Sequence, residues 1–428
     1  MRRAAVVSLL CTTIVSAQAL LSPSEAEHVR RQFAPSPGEA PLQCKATPVA
    51  PTVNLAFRTE AGYVVHIPRG QYSKPTDGWT VFTAITPEHG KPAYLLAHNS
   101  PAQAMNSSPG TDSNFDIPGA YFLGAGHYTV ESTVRDGGNL MCRQHWKIDV
   151  ATAHGDRGIP LALAPNTIED QAHADLPRSG HPDHAPPSRV TILLDAAAFS
   201  RHRTVIVDRD RQRMTRSLTA LVEHLAATVS VTAFSLEQQR EIFHADAFGA
   251  QDLARLNTAI AATPQASIDV NLLRDSRGHV DYLKALIGRV LKATGEGDTV
   301  IFLGPTSRYR DGVPKDALPV AAHASFFYVR CENFAPLTSN GAEPYISVPT
   351  DFHTASEDYP AIDPVKILNA TGDDTVAIGG HPPARVVDPS YGQPDIISKV
   401  VTLLNGRNFI VHSAAEMAEA IRKIEGRR

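Results

Sequence analysis

The chain has 428 residues, with hydrophobic residues at 43% and charged residues at 20%. That length implies two or three domains and that composition a packed core, which excludes a disordered chain. Lys+Arg total 40 against 44 Asp+Glu, and the net charge of -4 excludes a global attraction to nucleic acid or to an anionic membrane.

The N-terminus has the layout of an export signal over residues 1–19. Met1-Arg2-Arg3 is a basic start, Ala4 to Val15 is an apolar run too short to span a bilayer, and Ala17-Gln18-Ala19 is a small-x-small cleavage signal. The chain is therefore expected to be secreted or to reside in the periplasm or cell envelope, with no membrane-spanning segment once the signal is removed. Loss of Cys11 leaves Cys44, Cys142 and Cys331. In an oxidising compartment Cys44 and Cys142, which bracket one candidate domain, are the expected pair, with three reduced thiols as the alternative. Cys331 ends an apolar strand and reads as a buried small hydrophobe.

Residues 20–50 read as an extended, proline-bearing leader. From Val53 to Val150 short alternating segments follow one another: 53–58, 63–67, 79–86, 94–98, 128–134 and 140–150. Period-two patterning with turn residues between segments predicts an all-β, immunoglobulin-like sandwich over 51–150. Residues 151–188 hold six prolines with His173, His181, Asp183 and His184, and read as a solvated connector in preference to a metal site.

From 189 onward strand and helix alternate. Val190–Leu194, Val229–Phe234, Val300–Leu303 and Phe326–Val329 are continuous apolar runs, as strands buried on both faces require. Helical stripes run through Met214, Leu218, Leu221 and Leu225 and through Val280, Leu283, Ile287 and Leu291. Asp210 is placed to cap the first of these helices. Residues 396–404 read as helix, 408–412 as strand, and Ser413-Ala414-Ala415-Glu416 is a capping box for a last helix. The pattern predicts an α/β, Rossmann-like, mostly parallel sheet covered on both faces. Between 332 and 392 lies a long proline-rich insertion with Tyr345, Phe352, Tyr359 and Tyr391 as candidate contact anchors or a small core of its own.

Three segments of this half resemble the von Willebrand factor A family: "RVTILLDAAAFS", "VSVTAFSLEQQREIF" and "IISKVVTLLNGRNFIVHSAAEMAEAIRKIE". The whole layout is similar to exported acidobacterial proteins related to von Willebrand A domains. The resemblance implies a divalent-cation site at the C-terminal ends of the strands, built from Asp-x-Ser-x-Ser, a threonine and a second aspartate. Here Asp195 matches the first aspartate, Ala197 and Phe199 stand at the serine positions, and Gly304-Pro305-Thr306 stands where the second aspartate is expected. A methyl group and a phenyl ring cannot ligate Mg²⁺, so no cofactor is expected, with Asp195 as the lone remnant ligand. Ser200 and Asp208 are the residues nearest to rebuilding the centre.

A basic stretch adjoins that position. Arg201, Arg203, Arg209, Arg211, Arg213 and Arg216 face only Asp208 and Asp210, and Arg308 and Arg310 follow the fourth strand of the half. In a doubly wound sheet these ends share the ligand-binding side. The candidate face is thus Asp195, Ser200, Arg201, Arg203, Asp208, Arg209, Thr306, Arg308 and Arg310, and the expected partner is a protein or an anionic glycan. An ordinary solvated loop is the plain alternative. The chain carries no G-x-S-x-G, H-E-x-x-H or G-x-x-x-x-G-K-[ST] motif, so an exported, metal-independent binding module is expected. The rivals are an envelope hydrolase and a metal-dependent adhesion domain with a rebuilt cation site.

Overall fold

Sixteen strands in three sheets and seven α-helices make up this mixed α/β chain among the described residues of the computed structural model. These are residues 18–426 apart from 36–38, 73–76, 101–113, 139, 152–157, 179–188, 200–204, 226–227, 264–276, 310–312, 315–317, 319–323 and 333–394.

Two antiparallel-rich sheets form the first half. One holds β1 (Ala19–Leu20), β2 (Ala40–Pro41), β5 (Trp79–Pro87), β6 (Ala93–Asn99), β8 (Gly126–Asp136) and β9 (Leu140–Val150) in the order β1-β6-β5-β8-β9-β2. The other runs β10-β7-β4-β3, from β3 (Lys45–Val53), β4 (Thr59–Pro68), β7 (Asn114–Leu123) and β10 (Ile168–Glu169). Alternate residues of both sheets, among them Tyr63, Val65, Val81, Ile85, Tyr121 and Val130, close on one core. Such two-sided burial is what period-two patterning produces.

The boundaries differ from the sequence reading at both ends of this half. Residues 20–50 are not one extended leader: Ser22 caps α1 (Pro23–Gln32) through a capping box with Glu25, and β3 pairs along the length of β4. The connector also folds in part. β10 pairs with β7, and α2 (Gln171–Ala174), capped by Asp170, buries Ala174 beside Phe122 and Leu163.

Cys44 and Cys142 form a disulfide with Cα atoms 6.1 Å apart, closing 98 residues of sequence, while Cys331 is free and buried. Closing so long a loop removes chain entropy from the unfolded state. Reduction is expected to cost about 2–4 kcal/mol, read as a lower melting temperature in reductant. An unchanged melting curve on confirmed reduction would refute a stabilising role.

The third sheet runs β13-β12-β11-β14-β15-β16, from β11 (Val190–Asp195), β12 (Val229–Ser235), β13 (Arg240–Ala245), β14 (Thr299–Gly304), β15 (Ser325–Cys331) and β16 (Arg407–Val411). Counted within this half the order is 3-2-1-4-5-6. All pairings are parallel except β12 with β13. The apolar stripes of α3 (Asp208–His224), α4 (Ala250–Ala261) and α7 (Ala414–Ile424) pack on one face, through Met214, Leu218, Leu256, Ile260, Met417 and Ile421. Those of α5 (Gly278–Ala293) and α6 (Ile396–Leu403) pack on the other, through Val280, Leu283, Ile287, Ile397 and Val400.

The halves interlock at α3. Between β3 and β4 the Asn54 side chain accepts from the N–H groups of Ala56 (2.9 Å) and Arg58 (3.2 Å), and this holds Phe57 at φ 59°. A left-handed aromatic residue is costly, so the surroundings must hold it there. Phe57 is fully buried in the α/β core, edge-on to His224 at 5.0 Å. Beside it the buried Arg58 donates to Glu223 Oε1 (2.6 Å), to the Leu176 carbonyl (3.0 Å) and to the Ala56 carbonyl (2.9 Å). Arg216 pairs with Glu60 (2.9 Å) and Asp175 (3.3 Å).

Candidate functional site

In an open α/β sheet, chain crossovers leave to opposite faces where the strand order reverses, which opens a crevice at the strand ends. Here that point lies between β11 and β14, and Asp195 closes β11 beside it. Asp195 is fully buried. Its Oδ2 accepts from the Ser307 hydroxyl, and the Leu236 N–H also favours its ionised form. Burial pushes the carboxyl up to about 7, opposed by the Ser307 hydrogen bond and aided by the nearby charges of Asp395 and Glu237. Gly304 is required by close approach: at φ 156°, a Cβ there would sit 2.9 Å from both Cβ and the carbonyl oxygen of Asp195.

The loop after β14 is fixed from several sides. The Ser307 carbonyl accepts from Ile396 N–H (2.8 Å), and Tyr328 Oη donates to the Pro305 carbonyl (2.6 Å). Tyr309 stacks on His279 with centroids 4.2 Å apart. Asp395 caps α6 by accepting from Ile397 N–H (3.1 Å) and faces Arg330 at 3.7 Å, while Arg330 also pairs with Glu332 at 2.9 Å. Burial raises the carboxyls of Asp395 and Glu237 as well. Acidic and hydroxyl groups thus gather around Asp195, with Arg330 beside Asp395. Glu237, Ser307 and Asp395 come from three separate segments, and no local motif announces them.

The donor set does not fit the cation site that the family resemblance implies. One oxygen of Asp195 is taken by Ser307, and burial favours the protonated carboxyl, which is a poor Mg²⁺ ligand. Ala197 offers no donor side chain. Phe199 packs against the α/β core with the Arg213 guanidinium 5.7 Å over its ring. Among the described residues no group of three His, Cys, Asp or Glu is arranged to hold a metal.

Of the remaining candidate residues, Ser200, Arg201, Arg203 and Arg310 lie outside the described residues. So do His181, Asp183 and His184 of the connector, and the insertion anchors Tyr345, Phe352, Tyr359 and Tyr391. Asp208 pairs with Arg211 in the first turn of α3. Asp210 is not the cap: Val207 holds that position, and the buried Asp210 accepts from Phe199 N–H (3.2 Å), tying the loop after β11 to the helix. Thr306 donates to Glu332 (3.4 Å), and Arg308 bridges to Asp395 through the backbone. The basic stretch is smaller than its sequence suggests. Arg211 pairs with Asp208, Arg213 donates to the Glu332 carbonyl, and Arg216 is held by Glu60 and Asp175. Those three serve the fold, because an arginine enclosed by the chain needs carboxylate or carbonyl partners there. Arg209 and Arg308 are the described arginines of the proposed face.

No protein-family model matches the chain, and no curated protein is similar to it. Among solved structures, Bacteroides uniformis beta-glucuronidase 2, covalently bound to cyclophellitol-6-carboxylate aziridine, aligns with 62% of this chain at 11% identity and a TM-score of 0.17. The chain spans about a third (33%) of that protein's length. Likeness at that level carries no argument about fold or chemistry.

Proposed function

We propose that this is an exported binding module: an immunoglobulin-like sandwich carrying a von Willebrand A-like domain that works without a metal. The supporting observation is the strand order 3-2-1-4-5-6 with an antiparallel third strand, combined with an Asp195 at the switch point that is enclosed and bonded to Ser307. The first feature keeps the ligand-facing crevice of the family, and the second removes its ion. The partner is a protein or an anionic glycan that docks at the rim of the crevice, where Arg209 and Arg308 lie, with Arg201, Arg203 and Arg310 on the adjoining segments. Such charge pairing is screened by salt.

Binding to a sulfated dextran, with neutral dextran as control, tests both parts. Binding is expected to survive chelator, to weaken about tenfold or more between low and high salt, and to be lost when Arg201, Arg203 and Arg209 become serine. A requirement for Mg²⁺ or Mn²⁺ would overturn the metal-free reading. Equal binding to the neutral polymer would overturn the anionic partner.

One observation favours the hydrolase reading. A carboxyl titrating near neutrality, bonded to a serine hydroxyl, is a pair that acid–base chemistry uses. Its complete burial weighs against it, since a reacting group must meet its substrate. Hydrolysis of model esters or glycosides that disappears in Asp195→Asn would establish this second reading.

A further inference from the structure

A leader that is removed on export must be cut where the remaining chain can still fold. The small-x-small signal that the sequence offers at Ala17-Gln18-Ala19 would release everything through Ala19. The folded chain uses both residues that such a cut would discard. Gln18 is buried, at 5% exposure. Its Oε1 accepts from Ala120 N–H (3.0 Å), and its Nε2 donates to Tyr63 Oη (3.4 Å), which lies 2.8 Å from the Thr83 hydroxyl. Ala19 and Leu20 pair with Leu96 and Leu95 as the edge strand β1.

The bond to Ala120 has a topological reason. β10 covers β7 on its outer side only at Phe122 and Leu123, so the buried N–H of Ala120 lies past the end of that ladder, at the open edge of the sheet. The Gln18 amide takes the place of the missing strand. A buried N–H without a partner is strongly disfavoured, and the Gln18 side chain supplies both an acceptor and a donor to this interior.

We infer that the leader is removed at the Ala17–Gln18 bond, so that Gln18 is the first residue of the exported chain. Two positions earlier, Val15-Ser16-Ala17 places the small Ala17 before the cut, with the β-branched Val15 at the third position back. Hydrolysis adds one water: Ala17 departs with the leader as a carboxylate, and Gln18 keeps the new α-amine. The competing cut after Ala19 has one feature in its favour, because it would leave an ammonium on Leu20, whose nitrogen lies 2.8 Å from Asp170 Oδ2. That ion pair does nothing for Ala120 or Tyr63. In the uncut arrangement the same nitrogen satisfies Asp170 as an amide.

The inference rests on the export reading, and one experiment separates the two. The full chain is produced in a bacterial host, the periplasmic and cytoplasmic fractions are separated, and the protein in each is measured by intact mass and N-terminal sequencing. A periplasmic chain starting at Gln18 with its side-chain amide intact is the expected result, and one starting there as pyroglutamate, which lacks the Nε2 donor to Tyr63, would remove the structural ground. A periplasmic chain starting at Leu20 would overturn the assigned bond and leave export standing. An uncut chain confined to the cytoplasm would overturn export and the assigned bond together. As a structural control, Gln18→Ala is expected to be cut at the same bond and to melt several degrees lower. Melting equal to that of the parent would remove the ground for the inference.

Discussion

Replacing Arg58 by alanine is expected to destabilise the chain by about 3–5 kcal/mol, the range for removing one partner of a buried ion pair. The substitution leaves Glu223, with a side chain 7% exposed, without its cation, and leaves the Leu176 and Ala56 carbonyls short of a donor. Because these partners join the first half to α3, the loss should also split a single denaturation transition into two. Intrinsic fluorescence reports the first half, since both tryptophans, Trp79 and Trp146, lie there. Circular dichroism at helical wavelengths reports the second. The double variant Arg58→Met with Glu223→Leu should recover most of the loss, since neither charge is then stranded. A loss below about 1 kcal/mol in Arg58→Ala would show that the pair contributes no more than an exposed one.

Asp195→Asn should have the opposite sign. The folded chain holds the Asp195 proton up to about pH 7, while in the unfolded chain the carboxyl ionises near its ordinary value of 3.8. Between those values the unfolded state has released a proton that the folded state keeps. Stability therefore falls as pH rises from about 4 to about 7 and stays reduced above that. Asparagine keeps an acceptor for Ser307 and removes the ionisation. The variant should be more stable at pH 8 by up to about 4 kcal/mol and close to the parent near pH 4. Glu237 and Asp395, raised by burial in the same direction, retain a weaker pH dependence in the variant. Melting curves at several pH values decide the matter. Parent and variant curves that stay parallel from pH 4 to pH 8 would mean that Asp195 ionises as an exposed aspartate does.

Much of the scaffold was legible because its elements carry their own signals. The capping box at Ser413–Glu416 is present, and the buried runs at Val190, Val229, Val300 and Phe326 are the central strands of the third sheet. Elsewhere the local signal misleads. The Asp116-Ile117-Pro118-Gly119 stretch looks like a turn, yet it lies in the middle of β7, paired with β4 throughout. The N–H of Ala120 points away from β4 toward Gln18, and Pro118, two residues earlier, faces the same way, so the missing N–H costs the ladder nothing. Gly119 is needed because the Tyr63 ring crosses it, where a Cβ would lie 2.2 Å from Tyr63 Cζ. α4 has an apolar spacing, Leu253, Leu256 and Ile260, diluted by alanine and asparagine, which leaves its helical stripe faint in the sequence. The crevice was readable only at Asp195. Glu237, Ser307 and Asp395 meet it through topology, and long-range convergence leaves no mark on spacing. Arg216 reads in sequence as one more charge of the basic stretch because its acidic partners lie far away, at Glu60 and Asp175.

The tip that carries Phe57 and Arg58 also bears on the order in which the chain takes shape. Synthesis runs from the N-terminus, and Arg58 meets Glu223 across 165 residues. Until α3 has emerged, the nascent first half must hold a left-handed phenylalanine and a charged neighbour in water, with nothing to pack against. Its hairpin closes early, but its tip is finished late, so the slowest contacts to form belong to the earliest residues made. A truncated chain ending before α3 would accordingly display that tip as a sticky hydrophobic spot, and chaperone demand during biogenesis should drop once α3 has emerged and packed.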